Sequence, residues 1–175
     1  MEENIILSML VKNEVGVLTR VSGLFARRGF NIGSLSVGET EDSKISRITI
    51  VTQGDEYIKD QIIKQLEKLH DVIIVDALDA KKIVMRELVL IKVKVESGKR
   101  SELLEAASIF RAKVIDLTPA FLTLEITGEK TKCDAFIEYL SSYNITELVR
   151  TGASAIQRGS AKLRDKPETQ KEDGE

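Results

Sequence analysis

The sequence contains very few of the side chains that build catalytic or metal centres. Among its 175 residues there is one histidine, one cysteine and no tryptophan. His70 and Cys133 alone cannot supply the ligands of a common zinc site or a cysteine–histidine nucleophile. The numerous carboxylates are typical of charged helix surfaces, and no motif places them around a reaction centre. We therefore expect no catalytic residue, metal or cofactor in this chain.

Long apolar runs and a dominant charge are missing as well. No stretch approaches the roughly 18 consecutive apolar residues of a membrane helix, and the acidic start lacks the basic region of a signal peptide. A net charge of −2, with only three tyrosines and five phenylalanines, argues against a nucleic-acid interface. A single cysteine cannot form an internal disulfide, which fits a reducing compartment. These features predict a cytoplasmic protein without a membrane or nucleic-acid partner.

The chain is organised around a strand followed directly by a helix. Ile5, Leu7, Met9 and Val11 alternate with other residues, which is the pattern of a strand with one buried face. The apolar residues that follow recur at helical spacing, which predicts an amphipathic helix. They are Val17, Leu18, Val21, Leu24 and Phe25. Gly29 then takes the position after the last turn, where a left-handed residue is favoured.

The junction between this strand and helix, residues 12–16 (KNEVG), is the candidate functional site. The first turn of a helix presents unpaired N–H groups, which attract a carboxylate or phosphate. Gly16 has no Cβ to keep a ligand from the backbone, and Asn13 offers both a donor and an acceptor. These residues equally allow a second interpretation, in which Asn13 caps the helix and Gly16 only turns the chain.

The order of predicted elements, β-α-β-β-α-β, occurs twice. The first set comprises strands at 4–11, 31–38, 45–53 and 72–78, with helices from residue 17 and after the N-cap Asp55. The second comprises strands at 87–95, 113–117, 121–127 and 145–150, with helices at 100–110 and 132–143. We predict an α+β protein with two ferredoxin-like βαββαβ sandwiches in tandem, at 1–80 and 84–159, and a charged, weakly ordered tail at 160–175.

The first predicted sheet leaves two surfaces uncovered. Helices pack on one face only, yet Ile6 and Leu10 point to the other face. An open sheet also has unpaired edge strands. Side-by-side pairing of two copies would satisfy the edges, so we expect a homodimer.

The N-terminal part of the chain contains the runs KNEVGVLTRVSGLFARRGFNI at residues 12–32 and SRITI at 46–50. Through these residues it closely resembles the N-terminal ACT domain of the regulatory subunits of acetolactate synthase. The resemblance continues through REL at 86–88, IFRA at 109–112, TP at 118–119 and RTG at 150–152. It covers the chain to about residue 159, in its longer, two-domain form.

This resemblance implies a regulatory subunit without a catalytic site. Its partner would be the large catalytic subunit, which carries thiamin diphosphate, Mg²⁺ and FAD, and its effector would be valine, with leucine or isoleucine as further ligands. The second domain would be a regulatory-subunit domain, and the ACT domains would dimerise. The implied effector-binding residues lie in two groups, with the second contributed by the other protomer. They are Asn13, Glu14, Val15, Gly16, Val17 and Leu18, and Asn31, Ile32 and Gly33.

Two other functions remain open from the sequence. One is a stand-alone ACT-type sensor that controls a different enzyme or a transcription factor. It would share the effector site but would not purify with a thiamin-dependent subunit. The other is a small ferredoxin-like enzyme, which would show turnover in isolation.

Overall fold

The fold is described by a computed structural model that covers residues 3–167. This part of the chain forms two compact units, the first from residues 3–84 and 153–167 and the second from residues 85–152. Each unit contains an antiparallel sheet of four consecutively paired strands and two helices. The prediction of an α+β protein with tandem ferredoxin-like sandwiches is confirmed.

The first unit has the strand order β2-β3-β1-β4. Its elements are β1 (Glu3–Lys12), α1 (Val17–Arg28), β2 (Ser34–Glu39), β3 (Ile45–Gly54), α2 (Glu56–Glu67) and β4 (Val72–Ala77). A short 3₁₀ helix at Ala80–Lys82 leads to β5 (Ile83–Lys94), which continues into the second unit.

The core of the first unit follows from the alternation of β1. Leu7, Met9 and Val11 are fully buried on the face that α1 and α2 cover, and Phe25 and Leu66 pack there from the helices. Each such side chain contributes about 1.5–3 kcal/mol by leaving water. The residues predicted to mark helix ends, Asp55 and Gly29, do so in the structure. The Asp55 carboxylate accepts a hydrogen bond from Ile58 N–H at 2.8 Å, and Gly29 adopts φ 71° after α1.

The second unit repeats the arrangement, with strand order β6-β7-β5-β8. Its further elements are α3 (Arg100–Phe110), β6 (Lys113–Leu117), β7 (Phe121–Gly128), α4 (Lys130–Leu140) and β8 (Asn144–Arg150). Its core contains Val89, Ile91, Leu124 and Phe136.

An ionic cluster around the buried Glu87 joins three elements of the second unit. Arg150 of β8 forms an ion pair with Glu87 of β5 and a second one, at 2.8 Å, with Asp134 of α4. The Glu87 side chain is only 7% exposed. Hydrogen bonds from Lys130 and Arg150 hold the pKa of the Asp134 carboxyl below its ordinary value. Arg150 therefore neutralises a carboxylate that has almost no access to water.

The C-terminal segment returns to the first unit, a feature that the sequence patterns do not predict. Ser36 Oγ donates to Ala153 O at 2.7 Å, and Ala153 N–H donates to Ser34 Oγ at 2.8 Å. Strand β9 (Ser154–Gln157) and a 3₁₀ helix at Leu163–Asp165 follow. Leu163 is 4% exposed and packs with Leu10 and Ile74, on the face of the first sheet that the helices leave open.

The compact second unit ends at residue 152, whereas the predicted second domain ends at residue 159, because the residues from 153 onward group with the first unit. Of the predicted tail, residues 160–167 form defined contacts, since Lys166 Nζ pairs with Asp76 Oδ1 at 2.5 Å and Leu163 is buried. This otherwise polar stretch thus contacts the first unit through one buried apolar side chain and through ion pairs of Arg164 with Glu41 and of Lys166 with Asp76. The rest of the predicted tail, residues 168–175, lies outside the described residues.

Several predicted details are wrong. Strand β2 begins at Ser34 and not at residue 31, and α4 spans Lys130–Leu140 and not residues 132–143. Leu18 does not belong to the buried stripe of α1, because it is 42% exposed. It lies about 100° further around the helix than Val17, beyond the face that contacts the sheet.

In the described part of the chain, no helix is long and apolar enough to cross a membrane.

Candidate functional site

The candidate site lies where β1 passes into α1. Gly16 is the N-cap of α1, with φ 85°, and no side chain caps the helix. Val17 N–H is 3.4 Å from Glu14 O, and the described residues supply no acceptor to the N–H groups of Val15, Gly16 and Leu18. Such a cluster of unpaired donors at the positive end of a 12-residue helix can bind an anion.

Asn13 binds the neighbouring loop, so the interpretation of this residue as the helix cap is wrong. Its amide Nδ2 donates to Glu39 Oε1 at 3.0 Å and to Ser43 O at 2.9 Å. Both amide hydrogens therefore have acceptors, and the carbonyl oxygen Oδ1 remains to receive a hydrogen bond. Together with the Glu39 carboxylate, this oxygen makes the mouth of the site suitable for a cation. The site thus places donors for an anion beside acceptors for a cation.

Two charged residues that are absent from the predicted site, Arg20 and Asp71, also border this junction. Arg20 Nε donates to Asp71 Oδ2 at 2.5 Å, and the Asp71 side chain is only 8% exposed. A Cβ added to Gly16 would lie 3.1 Å from Arg20 Nη1, so the guanidinium lies directly over the glycine. The spacing of four residues between Gly16 and Arg20 is a sequence signal for this proximity. No local pattern identifies Asp71, 51 residues further along.

The remaining predicted site residues are at the other end of α1. Asn31 O accepts a hydrogen bond from Thr52 Oγ1 at 2.6 Å, and Gly33 N–H donates to Val51 O at 2.9 Å. Because α1 has 12 residues, about 18 Å separates its two ends. One chain therefore does not bring Asn31, Ile32 and Gly33 to the Gly16 junction.

The predicted apolar lining is only partly available. Val17 is buried in the core of the first unit, and its contact with an effector side chain stays a prediction. Ile32 is half-buried and packs against the same core. Val15 and Leu18 are the exposed apolar side chains at the junction. Val15 precedes the helix, and Leu18 lies on the side of α1 that faces away from the sheet.

Across residues 3–167, no group of three or more His, Cys, Asp or Glu side chains is placed to hold a metal ion. Cys133 is a free, buried thiol, and burial raises its pKa. It is therefore poorly suited to act as a nucleophile.

Comparison with known proteins gives a consistent result along the chain. The family model described as "AHAS small subunit-like ACT domain" matches residues 7–74, and the model "Small subunit of acetolactate synthase" matches residues 86–159. The chain is 49% identical over 156 residues to a probable acetolactate synthase small subunit of Methanothermobacter thermautotrophicus, covering 89% of this chain and 93% of that protein. It is 46% identical over 153 residues to the acetolactate synthase small subunit of Mycobacterium bovis, covering 87% and 91%.

A solved structure agrees with these sequence matches. The crystal structure of the acetolactate synthase small subunit from Thermotoga maritima superposes with a TM-score of 0.85 at 41% identity, covering 91% of this chain and 99% of that one. The family-model matches include the strand–helix junction and most of both units. The chain belongs to the acetolactate synthase small subunit family.

Proposed function

We propose that this chain is a regulatory subunit that activates the catalytic large subunit of acetolactate synthase and confers feedback inhibition by valine. In this role it acts in the cytoplasm, in valine and isoleucine biosynthesis. The chain itself supplies no catalytic group, and the large subunit carries thiamin diphosphate, Mg²⁺ and FAD. The family relationship supports the partner, and the Gly16 junction supports the effector.

The observation that carries this proposal is the polarity of the Gly16 junction. Its unpaired N–H groups suit the carboxylate of an amino acid, and the Asn13 Oδ1 and Glu39 carboxylate suit the ammonium group. A zwitterion needs both kinds of partner, a few ångströms apart. Val15 and Leu18 are exposed beside them and are available to contact a branched aliphatic side chain.

A homodimer would complete the site. Strand β2 is an edge of the first sheet, and in the part of the chain that the structure describes it pairs on one side only, with β3. Antiparallel pairing of β2 with the same strand of a second copy places the start of one strand beside the end of the other. Residues 31–33 of the second copy then approach Glu39, which holds Asn13. This pairing brings the two predicted groups of effector-binding residues together.

Calorimetric titration and activity assays test this function. We expect the full-length chain to bind valine saturably, with leucine and isoleucine weaker by at most about 10- to 100-fold, since one methylene contributes only about 1–3 kcal/mol of discrimination. Threonine serves as the polar comparison. We also expect the chain to raise the activity of the large subunit and to make it sensitive to valine. Binding of none of the four amino acids, or unchanged activity of the large subunit, would contradict the proposal.

A further inference from the structure

We infer that Arg20 binds the carboxylate of the effector, as a specificity-determining residue of the Gly16 junction. This inference rests on the proposed function and extends it, because it restricts the effectors to molecules with a free carboxylate next to the amino group.

The guanidinium is fixed in place by a buried partner. Arg20 Nε donates to Asp71 Oδ2 at 2.5 Å. Asp71 is itself held by the end of β1, because its backbone oxygen accepts a hydrogen bond from Lys12 N–H at 2.9 Å. The Asp71 side chain is 8% exposed, whereas that of Arg20 is 48% exposed. One edge of the guanidinium is therefore anchored, and the rest of it faces solvent.

The solvent-facing edge retains its hydrogen-bonding capacity. Within residues 3–167, the hydrogen bonds of the Arg20 side chain involve Nε alone, and Nη1 and Nη2 have no acceptor. Two parallel N–H groups of a guanidinium match the two oxygens of a carboxylate. Because Asp71 already orients the group, little side-chain freedom is lost when a ligand binds.

The open edge converges on the same space as the unpaired backbone donors. Arg20 Nη1 lies 3.1 Å from the position of a Cβ on Gly16, which is the N-cap of α1. A carboxylate at this helix end would receive N–H groups of the turn and the guanidinium together. The Asn13 Oδ1 and Glu39 carboxylate remain for the ammonium group. The junction thus orients the effector, with its carboxylate toward Arg20 and its ammonium group toward Asn13 and Glu39.

The test compares two ligands that differ at the carboxylate. L-valine and L-valinol share the ammonium group and side chain, but valinol has a hydroxymethyl group in place of the carboxylate. Each is titrated calorimetrically into the full-length wild-type chain, Arg20→Met and Arg20→Lys. Arg27→Met is the matched control, because Arg27 lies in the last turn of the same helix. We expect Arg20→Met to weaken valine about 10- to 100-fold, typical of a lost charge-assisted pair, and to leave valinol unchanged.

The outcomes separate a binding role from a structural one. Arg20→Lys keeps the positive charge but lacks the two parallel N–H groups of the guanidinium, so we expect an intermediate loss of valine affinity. We expect no loss for Arg27→Met. If Arg20→Met does not fold, the lysine variant carries the comparison. Equal weakening of valine and valinol, or unchanged valine affinity, would overturn the inference while leaving the proposed function in place. Failure of the wild-type chain to bind valine would overturn both.

Discussion

Replacing Gly16 with aspartate is expected to abolish inhibition by valine in the reconstituted enzyme. Gly16 has φ 85°, a conformation that costs an L-residue about 1–2 kcal/mol. Aspartate tolerates this region better than most residues, so the chain can still fold. The introduced carboxylate would lie next to Arg20 Nη1 and the unpaired N–H groups, where it would occupy the place of the effector carboxylate.

The expected size of this effect is at least about 100-fold in the valine concentration for half-inhibition, because the site is both occupied and made negative. Gly98→Asp is the matched control. Gly98 has φ 80° and precedes α3 in the second unit, and a Cβ there meets no atom within 4 Å. The Gly98→Asp substitution introduces the same charge and a similar backbone strain away from the junction. A half-inhibitory concentration that is the same for Gly16→Asp and the wild type would contradict the placement of the site.

Replacing Arg150 with methionine is expected to destabilise the protein by about 2–4 kcal/mol. Methionine preserves much of the side-chain volume, but it leaves Glu87 buried without its cation and removes a pair with Asp134. The cost arises mainly from the unpaired Glu87 carboxylate, whose side chain is 7% exposed. Urea unfolding followed by circular dichroism measures the change in the free energy of unfolding.

Lys92→Met provides the control for this prediction. Lys92 pairs with Glu147 between neighbouring strands of the same sheet, but both side chains are largely exposed. Exposed ion pairs of this kind contribute little to stability, so we expect no measurable change. Equal stability of Arg150→Met and Lys92→Met would show that the cluster around Glu87 does not hold the second unit together.

Much of the fold was predictable from local patterns. The alternation of Ile5, Leu7, Met9 and Val11 identified the central strand, because a period of two buries one face of a sheet. Asp55 and Gly29 marked helix ends through the hydrogen bonds and backbone angles that those positions require. These signals are contained within a few neighbouring residues. They suffice for the order of the elements and for two ferredoxin-like units.

Features that depend on distant contacts were not predictable. Leu163 stands alone among charged residues, and only the uncovered face around Leu10 and Ile74 explains why the C-terminal segment returns there. At the candidate site, the sequence indicated Gly16 and Asn13, but not the distant residues that bind Asn13 and Arg20. Glu39 is 26 residues from Asn13, and Asp71 is 51 residues from Arg20. Tertiary structure alone creates both pairs.

In the proposed homodimer, Asn13 of one copy and Asn31 of the other build each effector site. This arrangement is tested most directly with Asn13→Ala and Asn31→Ala, which are each expected to bind valine weakly or not at all. The two variants are unfolded together in equal amounts, refolded, and titrated with valine. In a mixed dimer, one site has both asparagines and the other has neither. Random pairing therefore restores about a quarter of the wild-type sites at wild-type affinity. If the mixture binds no more valine than the separately refolded variants, the site does not lie between two copies.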